Sequence, residues 1–563
     1  MKSHLEHLLS RAIEKTAKGE ELETTDLPPL FLEPPKQKEF GDLASNVALV
    51  WAKQLRRPPR AVAEAIAKNI EDSEGILARV EIAGPGFLNF TFSPRFYYAR
   101  LKDLDAEREL VPRFGGGEKI QVEFASANPT GPLHVGHGRV AVIGDVLARL
   151  LDAAGFAVER EYYVNDAGNQ MEKLGQSIYA RYRELFGEKV DFPEDGYPGE
   201  YVKEVAADVK QRWGDKYLSA PKDEAIAFFR EYGGERLLQI IRDDLAAFGI
   251  SFDSFVSEKE LRARGAVELT LGQLAGRGML YEQDGAQWFK STAFGDDKDR
   301  PLVKSDGELT YFASDIAYHR DKLERGFAKL INVWGADHHG YVPRLKAGLA
   351  ALGYDPERLR VVLVQLVQLT RGGEPVRMGK RSGEFVPLAE VVEEVGVDAA
   401  RFFFLMRKSD SHLDFDLELA KKESSENPVF YAQYAHARIA SIFEQAREKG
   451  TAALDREVKL ETLAEPDELG LIKRLLQFAE TVRDSVAELE PHRIAFYLLE
   501  LAGEFHRYYN RFRVITDDAE LTAARLFLLR NVQKVVARGL NLLGVNAPLK
   551  MAARVESLSI SKN

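Results

Sequence analysis

The sequence predicts an α/β protein: a central domain on a parallel β-sheet, broken by a helical insertion, between an N-terminal α+β unit and a C-terminal α-helical bundle. Three observations predict it. From Ile120 a β-rich run (IQVEFA), a loop, an amphipathic helix and a second strand (AVEREYYV) follow one another, which is the βαβ unit of a parallel sheet. The sheet pattern returns downstream in AKLINVWGADHHGY and RVVLVQLVQL. After about residue 425 only helical periodicity is left. At 563 residues the chain exceeds what one core supports, so several domains are expected.

The elements follow in order. Residues 1–112 combine a helical start, a Pro-rich stretch, an amphipathic segment (LASNVALVWAKQL), a Pro-started helix (PPRAVAEAIAKNI) and alternating strands (RVEIAGPGFLNFTF). FGGGEK marks a turn, and residues 113–424 form the sheet domain. In its first helix Val140, Ile143, Leu147, Leu150 and Ala154 share one face, and Gly155 ends it. Residues 165–290, charged and mostly helical with short β-like pieces such as GAQWFK, read as an insertion. RVVLVQLVQL is a strand, RGGE a turn and PVRMGKRSGEF a basic loop. Four amphipathic segments between residues 425 and 563 indicate a bundle.

Composition narrows the function. No run approaches the ~18 apolar residues of a membrane span, so no membrane partner is expected. The first twenty residues lack the uninterrupted apolar stretch of a signal peptide, and a cytoplasmic location is expected. The absence of cysteine excludes disulfides, thiolate zinc sites and cysteine nucleophiles. A net charge of −11 argues against a uniformly basic coat for nucleic acid while permitting a local basic face.

The stretch NPTGPLHVGHGR carries the chemistry. It lies between a strand's carboxyl end and a helix N-terminus, where free N–H groups and the helix dipole favour phosphate. His134 and His137, three apart, can donate to phosphate oxygens, and Gly136 admits close approach of a ligand. Gly136-x-Gly138-x-x-Ala141, with Glu159 beyond, also matches a dinucleotide fingerprint, but ten residues separate Ala125 from Gly136 where that fingerprint needs a tight turn. A zinc site on His134, His137, His338 and His339 lacks the flanking Glu of a helical zinc motif. The second loop, with Lys380 and Arg381 among glycines, suits charge developing on a transferring phosphoryl group.

HVGH and RMGKRSG resemble the two signatures of class I aminoacyl-tRNA synthetases. With ASANPTGPLHVGHGR, YYVNDAGNQ, YFASDIAYH, GADHHGY and YAQYAHARI, nearly the whole chain resembles the arginyl-tRNA synthetases. The resemblance implies a Rossmann-like catalytic domain that makes arginyl-adenylate from L-arginine and ATP with Mg2+, without zinc, and transfers it to the terminal ribose of arginine tRNA. It implies catalysis by His134, His137 and Lys380. ATP would be held by these three with Gly136, Asp337, His338 and Met378. Arginine would be held by Glu123, Asn128, His134, Tyr311, Asp315 and His339, since a guanidinium needs planar carboxylate acceptors. Arg377 and Gly379 depart from the family's loop pattern, while Lys380 keeps its second lysine.

By the same resemblance the bundle binds the anticodon, with Tyr431 and Tyr434 as stacking residues, and the N-terminal unit touches the tRNA elbow. Residues 501–550 hold 8 Lys+Arg against 4 Asp+Glu, while 461–500 hold 4 against 9, which is consistent with phosphate tracking. Phe505, Tyr508 and Phe512 share a helix face and read as core. The resemblance implies a monomer. The alternative is a catalytically silent tRNA-binding relative, which loss of the histidines or of Lys380 would mark.

Overall fold

The computed structural model describes residues 1–19, 28–35, 37–107, 110–376, 386–451 and 458–551. Met378 and Lys380 therefore lie outside the described residues, as does the tail beyond Met551.

The N-terminal unit is α+β as expected. A three-stranded antiparallel sheet in the order 43–45, 87–92, 77–83 packs against helices Val47–Leu55 and Pro59–Lys68; helix Lys2–Gly19 lies on the latter, and helix Pro94–Ala106 meets the C-terminal bundle. The hairpin turns at Gly86, where a Cβ would stand 2.9 Å from the Pro59 backbone.

In the central domain five parallel strands are ordered β5-β4-β1-β2-β3: β1 (Lys119–Glu123), β2 (Ala157–Val164), β3 (Ser254–Ser257), β4 (Lys329–Gly335) and β5 (Leu359–Val364). The chain runs outward from β1 through β2 to β3, then returns to the other side of β1. The order thus reverses between β1 and β4, and the crevice beyond their carboxyl ends is where such sheets bind ligands.

Two sequence expectations are corrected here. The span 165–290 is not one helical insertion, because β3 belongs to the central sheet; helices Asn169–Glu184, Glu200–Trp213 and Lys222–Ala247 precede it, and a small antiparallel sheet (Leu280–Gln283, Ala286–Phe289, Arg300–Val303) follows. β3 is only four residues long with charged neighbours, too short to show alternation. RVVLVQLVQL is two strands rather than one, β5 and Val367–Arg371, the latter in a separate sheet with Leu413–Asp416. The break falls at Gln365, whose carbonyl accepts from Arg139 (2.9 Å).

One face of the sheet is covered by helix α1 (Val135–Ala153), the other by α2 (Tyr311–Glu324). α1 is buried on nearly every side, so its apolar stripe is wider than the sequence pattern suggested. Gly144 lies against Phe124, which follows β1, and an added Cβ would overlap that ring. Gly144→Ala is expected to destabilise the protein by about 1–3 kcal/mol through overpacking, read as a lowered denaturant midpoint with unchanged slope. Arg139, fully buried on α1, donates to the carbonyls of Gln365, Ser411 and Lys408 (2.8–2.9 Å) and so ties three chain segments to this helix.

The bundle has five long helices: α3 (Pro428–Glu448), α4 (Pro466–Leu476), α5 (Phe478–Glu488), α6 (His492–Arg511) and α7 (Ala519–Leu542). The segment expected as one helix is interrupted at Gln477, giving α4 and α5. Buried Arg401 joins the bundle to the sheet domain, bonding to Asp145 of α1, the Leu543 carbonyl (3.0 Å) and the Phe248 carbonyl (3.2 Å).

Candidate functional site

At the carboxyl end of β1 the chain turns through Ala125, a non-glycine residue at φ 58, toward the signature loop. His134 is the N-cap of α1. Its Nδ1 accepts from the Gly136 amide (3.1 Å), and His137 Nδ1 accepts from the His134 amide (3.3 Å), forming a capping box of two imidazoles. The rings stack with centroids 3.7 Å apart. Burial lowers the affinity of both for a proton; His137 is brought down to about 3 by burial and then by the charge of its neighbour. Both are therefore neutral at physiological pH. With Nδ1 of each accepting, the ring proton is assigned to Nε2, so each neutral ring carries its N–H on that nitrogen.

The second basic loop is attached to this same point. Leu388 N donates to the Leu133 carbonyl (2.8 Å) and Val135 N to that of Val386 (3.3 Å), so the chain emerging from residues 377–385 pairs with the signature loop. Gly138 is needed here, since a Cβ would stand 2.5 Å from Leu388 Cδ1. This pairing sets Val386 and Leu388 beside the N-terminus of α1.

On the α2 face the sheet carries buried charge. Glu123 at the end of β1 is paired with Lys322 Nζ (2.5 Å) and accepts from Ser126 Oγ (3.1 Å). Lys322 also donates to Asn332 Oδ1 (3.3 Å), and Asn332 Nδ2 lies 2.6 Å from His319 Nε2. His319 Nδ1 in turn bonds the Asp315 carbonyl (2.8 Å). Glu258, at the start of the helix after β3, is 1 % exposed and paired with Arg262 (2.5 Å). Each of these carboxylates has its cation. Asp315 on α2 differs: its carboxylate accepts from the Tyr341 hydroxyl, and no cation stands within ion-pair distance among the described residues. Burial first, then the charges of Glu258 and Glu123, push its proton affinity up to about 7, against Tyr341 and Lys322, which favour ionisation.

The other expected residues surround this crevice. Asn128 is exposed and donates to Gln170 Oε1 (2.7 Å), whose amide is held by the Asn165 carbonyl (3.1 Å). Tyr311 opens α2 and is 57 % exposed, its hydroxyl beside Gly168. Asp337, His338 and His339 lie in the exposed turn directly after β4, with His338 Nε2 3.5 Å from Asp337 Oδ2. The sequence reading overlooked Glu258, Tyr341, Gln170 and Lys322. For Gln170 and Tyr341 the signal was adjacency to motifs already noted, YYVNDAGNQ and GADHHGY.

In the bundle, Tyr431 and Tyr434 of α3 lie beside His506 of α6, at 4.6 and 5.9 Å between centroids. Arg438 stacks over Tyr434 (4.5 Å) and Tyr509 (4.8 Å). Phe505 and Tyr508 are core, as expected. Much of the basic excess in 501–550 is spent within the molecule: Arg511 pairs with Asp467 (2.9 Å), Arg525 with Glu468 (2.8 Å) and Arg530 with Asp105 of the N-terminal unit (2.5 Å), while Lys534 caps the helix that carries Asp105.

Three family models match in sequence: "Arginyl tRNA synthetase N terminal domain" at 3–92, "tRNA synthetases class I (R), catalytic domain" at 102–441 and "DALR anticodon binding domain" at 432–551. The arginine–tRNA ligase of Citrifermentans bemidjiense is 52% identical over 554 residues, covering 98% of this chain and 100% of that protein. That of Geobacillus thermodenitrificans is 47% identical, covering 98% and 99%. The Thermus thermophilus arginyl-tRNA synthetase structure superposes with a TM-score of 0.74 at 24% identity, covering 96% of this chain and 99% of that one.

Proposed function

Because the chain belongs to the arginine–tRNA ligase family, with a class I catalytic domain, we propose that Asp315 receives the guanidinium of L-arginine and that His134 and His137 bind the phosphates of ATP. The enzyme joins arginine to its tRNA in two steps. The arginine carboxylate attacks the α-phosphorus of ATP and expels pyrophosphate; a terminal ribose hydroxyl of the tRNA then attacks the carbonyl of the adenylate and expels AMP.

One observation carries the assignment. Of the four buried carboxylates gathered on the α2 face, Glu123, Glu161 and Glu258 are neutralised by Lys322, Arg325 and Arg262, and Asp315 alone lacks a cation among the described residues. The pocket is short of a single positive charge, and a guanidinium supplies one. Glu123 then acts through Lys322, fixing the α2 helix. Tyr341 orients the Asp315 carboxylate, and Tyr311 stands over the entrance. Asn128, steadied by Gln170, and His339 hold the amino acid's α-groups.

The neutral Nε2–H groups of His134 and His137 donate to ATP phosphates at the α1 N-terminus. Gly136 leaves room for the adenine, and Asp337 and His338 face the nucleotide from the turn after β4. Catalysis is positioning together with stabilisation of charge on the α-phosphate. ATP enters as its Mg2+ complex. Lys380 stabilises the leaving pyrophosphate and Met378 contributes to ATP binding; Lys380→Ala is expected to lower the rate of pyrophosphate exchange by about 10²–10³-fold at saturating ATP.

Arginine tRNA is held by the bundle, where Tyr431 and Tyr434, flanked by Arg438, offer aromatic faces for stacking bases. Every group named comes from one chain, so a monomer suffices, working in the cytoplasm where its substrates meet. Arginine-dependent ATP–pyrophosphate exchange, with and without arginine tRNA, tests the reading: exchange supports it, and tight tRNA binding without exchange under any condition would favour a silent binding protein.

A further inference from the structure

The end of β2 carries a feature the assignments above do not use. Tyr163 is 8 % exposed, and its hydroxyl has no hydrogen-bond partner among the described residues. A buried hydroxyl without a partner is destabilising, and folded proteins retain few of them. The ring itself is well placed: it stacks on Tyr318 (centroids 4.4 Å, 30° between planes), and Tyr318 is fixed by its own bond to Glu161. Tyr318 lies three residues after Asp315 on α2, so the phenol stands on the helix face that carries the unpaired carboxylate.

The electrostatics agree with that placement. Burial, then the charges of Glu258, Asp315 and Glu123, hold the phenol proton well past its ordinary range, with Arg262 opposing. Tyr341, the hydrogen-bond partner of Asp315, also feels Tyr163. The Tyr163 hydroxyl is thus an uncharged oxygen among the groups that bound the pocket.

We propose that Tyr163 is a specificity-determining residue for arginine: its hydroxyl oxygen accepts a hydrogen bond from a terminal N–H of the guanidinium whose charge Asp315 takes. The inference rests on the assignment of Asp315. It explains why an unpartnered hydroxyl is kept where phenylalanine would fill the same space. A guanidinium has five donors in a plane, and a carboxylate satisfies at most two. A neutral acceptor meets another donor without adding a second negative charge to a low-dielectric pocket. A substrate that brings charge without that planar set of donors leaves the phenol unpaired again.

Tyr163→Phe keeps the stacked ring and removes only the oxygen. The expected result is an arginine KM raised about 10–100-fold, with kcat at saturating arginine and the ATP KM little changed. Without arginine the variant melts at the same temperature as the parent or higher, and arginine raises that temperature less. The acetamidine analogue of arginine, in which a methyl group replaces one terminal amino group, supplies the second arm: the substitution weakens arginine more than it weakens the analogue. An unchanged arginine KM, equal weakening of both ligands, or a lower melting temperature with arginine affinity intact would overturn the proposal. Asp315→Asn, measured alongside, separates the failures. If it leaves arginine affinity unchanged, the pocket assignment falls together with the proposal. If it abolishes affinity and Tyr163→Phe does nothing, only the tyrosine contact falls.

Discussion

Asp315→Asn is expected to lower kcat/KM for arginine by about 10²–10⁴-fold, because it removes the carboxylate proposed to meet the substrate's guanidinium; breaking a buried pair costs about 3–5 kcal/mol. The loss is in KM for arginine, and the KM for ATP is largely unaffected. The same carboxylate makes arginine binding depend on pH. In the free enzyme Asp315 titrates at about 7, raised from 3.8. A bound guanidinium favours the ionised form and displaces that proton. Affinity is therefore near its plateau above about pH 8 and weakens as pH falls, by roughly tenfold between pH 8 and pH 6. The asparagine variant shows a flat profile over that range. For stability the sign is opposite to that of a salt-bridged acid: the folded state holds the proton more tightly than the unfolded chain, so this group favours folding most below pH 3.8 and least above 7, where the bare carboxylate is a cost that arginine cancels.

The second large effect belongs to the histidine pair. Replacing His137 with alanine removes one N–H donor to the phosphates and one acceptor from the α1 cap, and kcat is expected to fall about 10²–10³-fold. His134→Ala adds the loss of an N-cap, about 1 kcal/mol of stability, whereas His134→Asn retains the cap and isolates the donor. Since burial holds it at about 3, His137 contributes no limb to the rate profile between pH 5 and 8. It does contribute acid lability: the unfolded chain protonates this histidine near 6.5 and the folded protein resists until about 3, so stability falls with pH across that window. Denaturant titrations at pH 7 and pH 5 check this, and His137→Asn should show the smaller loss.

The parts of the molecule legible from sequence are those encoded by short-range pattern. The βαβ unit around α1, the strand ending at Gly335, the Pro-started helix at Pro59 and the bundle helices all announce themselves through periodicity and end signals. β3 did not, being four residues of a strand that only its neighbour β2 makes recognisable. The break at Gln365 was hidden because Arg139, 226 residues earlier, holds the carbonyl that interrupts the strand. The site divides the same way. His134, His137 and Asp315 lie in motifs, while Glu258 is brought near Asp315 only because β3, which leads into its helix, is adjacent to β2. Charge counted along the chain does not separate surface cations from those spent on docking a neighbouring domain, as Arg530 is on Asp105. Lys322 shows the remaining gap: nothing in sequence distinguishes a lysine that neutralises a buried Glu123 from one on the surface.

The most direct test of the missing-cation account is calorimetric titration of the enzyme with arginine at pH 6.5, repeated in buffers of different ionisation enthalpy to count protons. With Asp315 titrating at about 7, roughly 0.8 proton should leave per arginine bound, falling toward zero at pH 8.5 and absent in Asp315→Asn. Binding of similar affinity without proton release, or release that persists in the asparagine variant, would contradict the assignment of Asp315 as the group waiting for the substrate's charge.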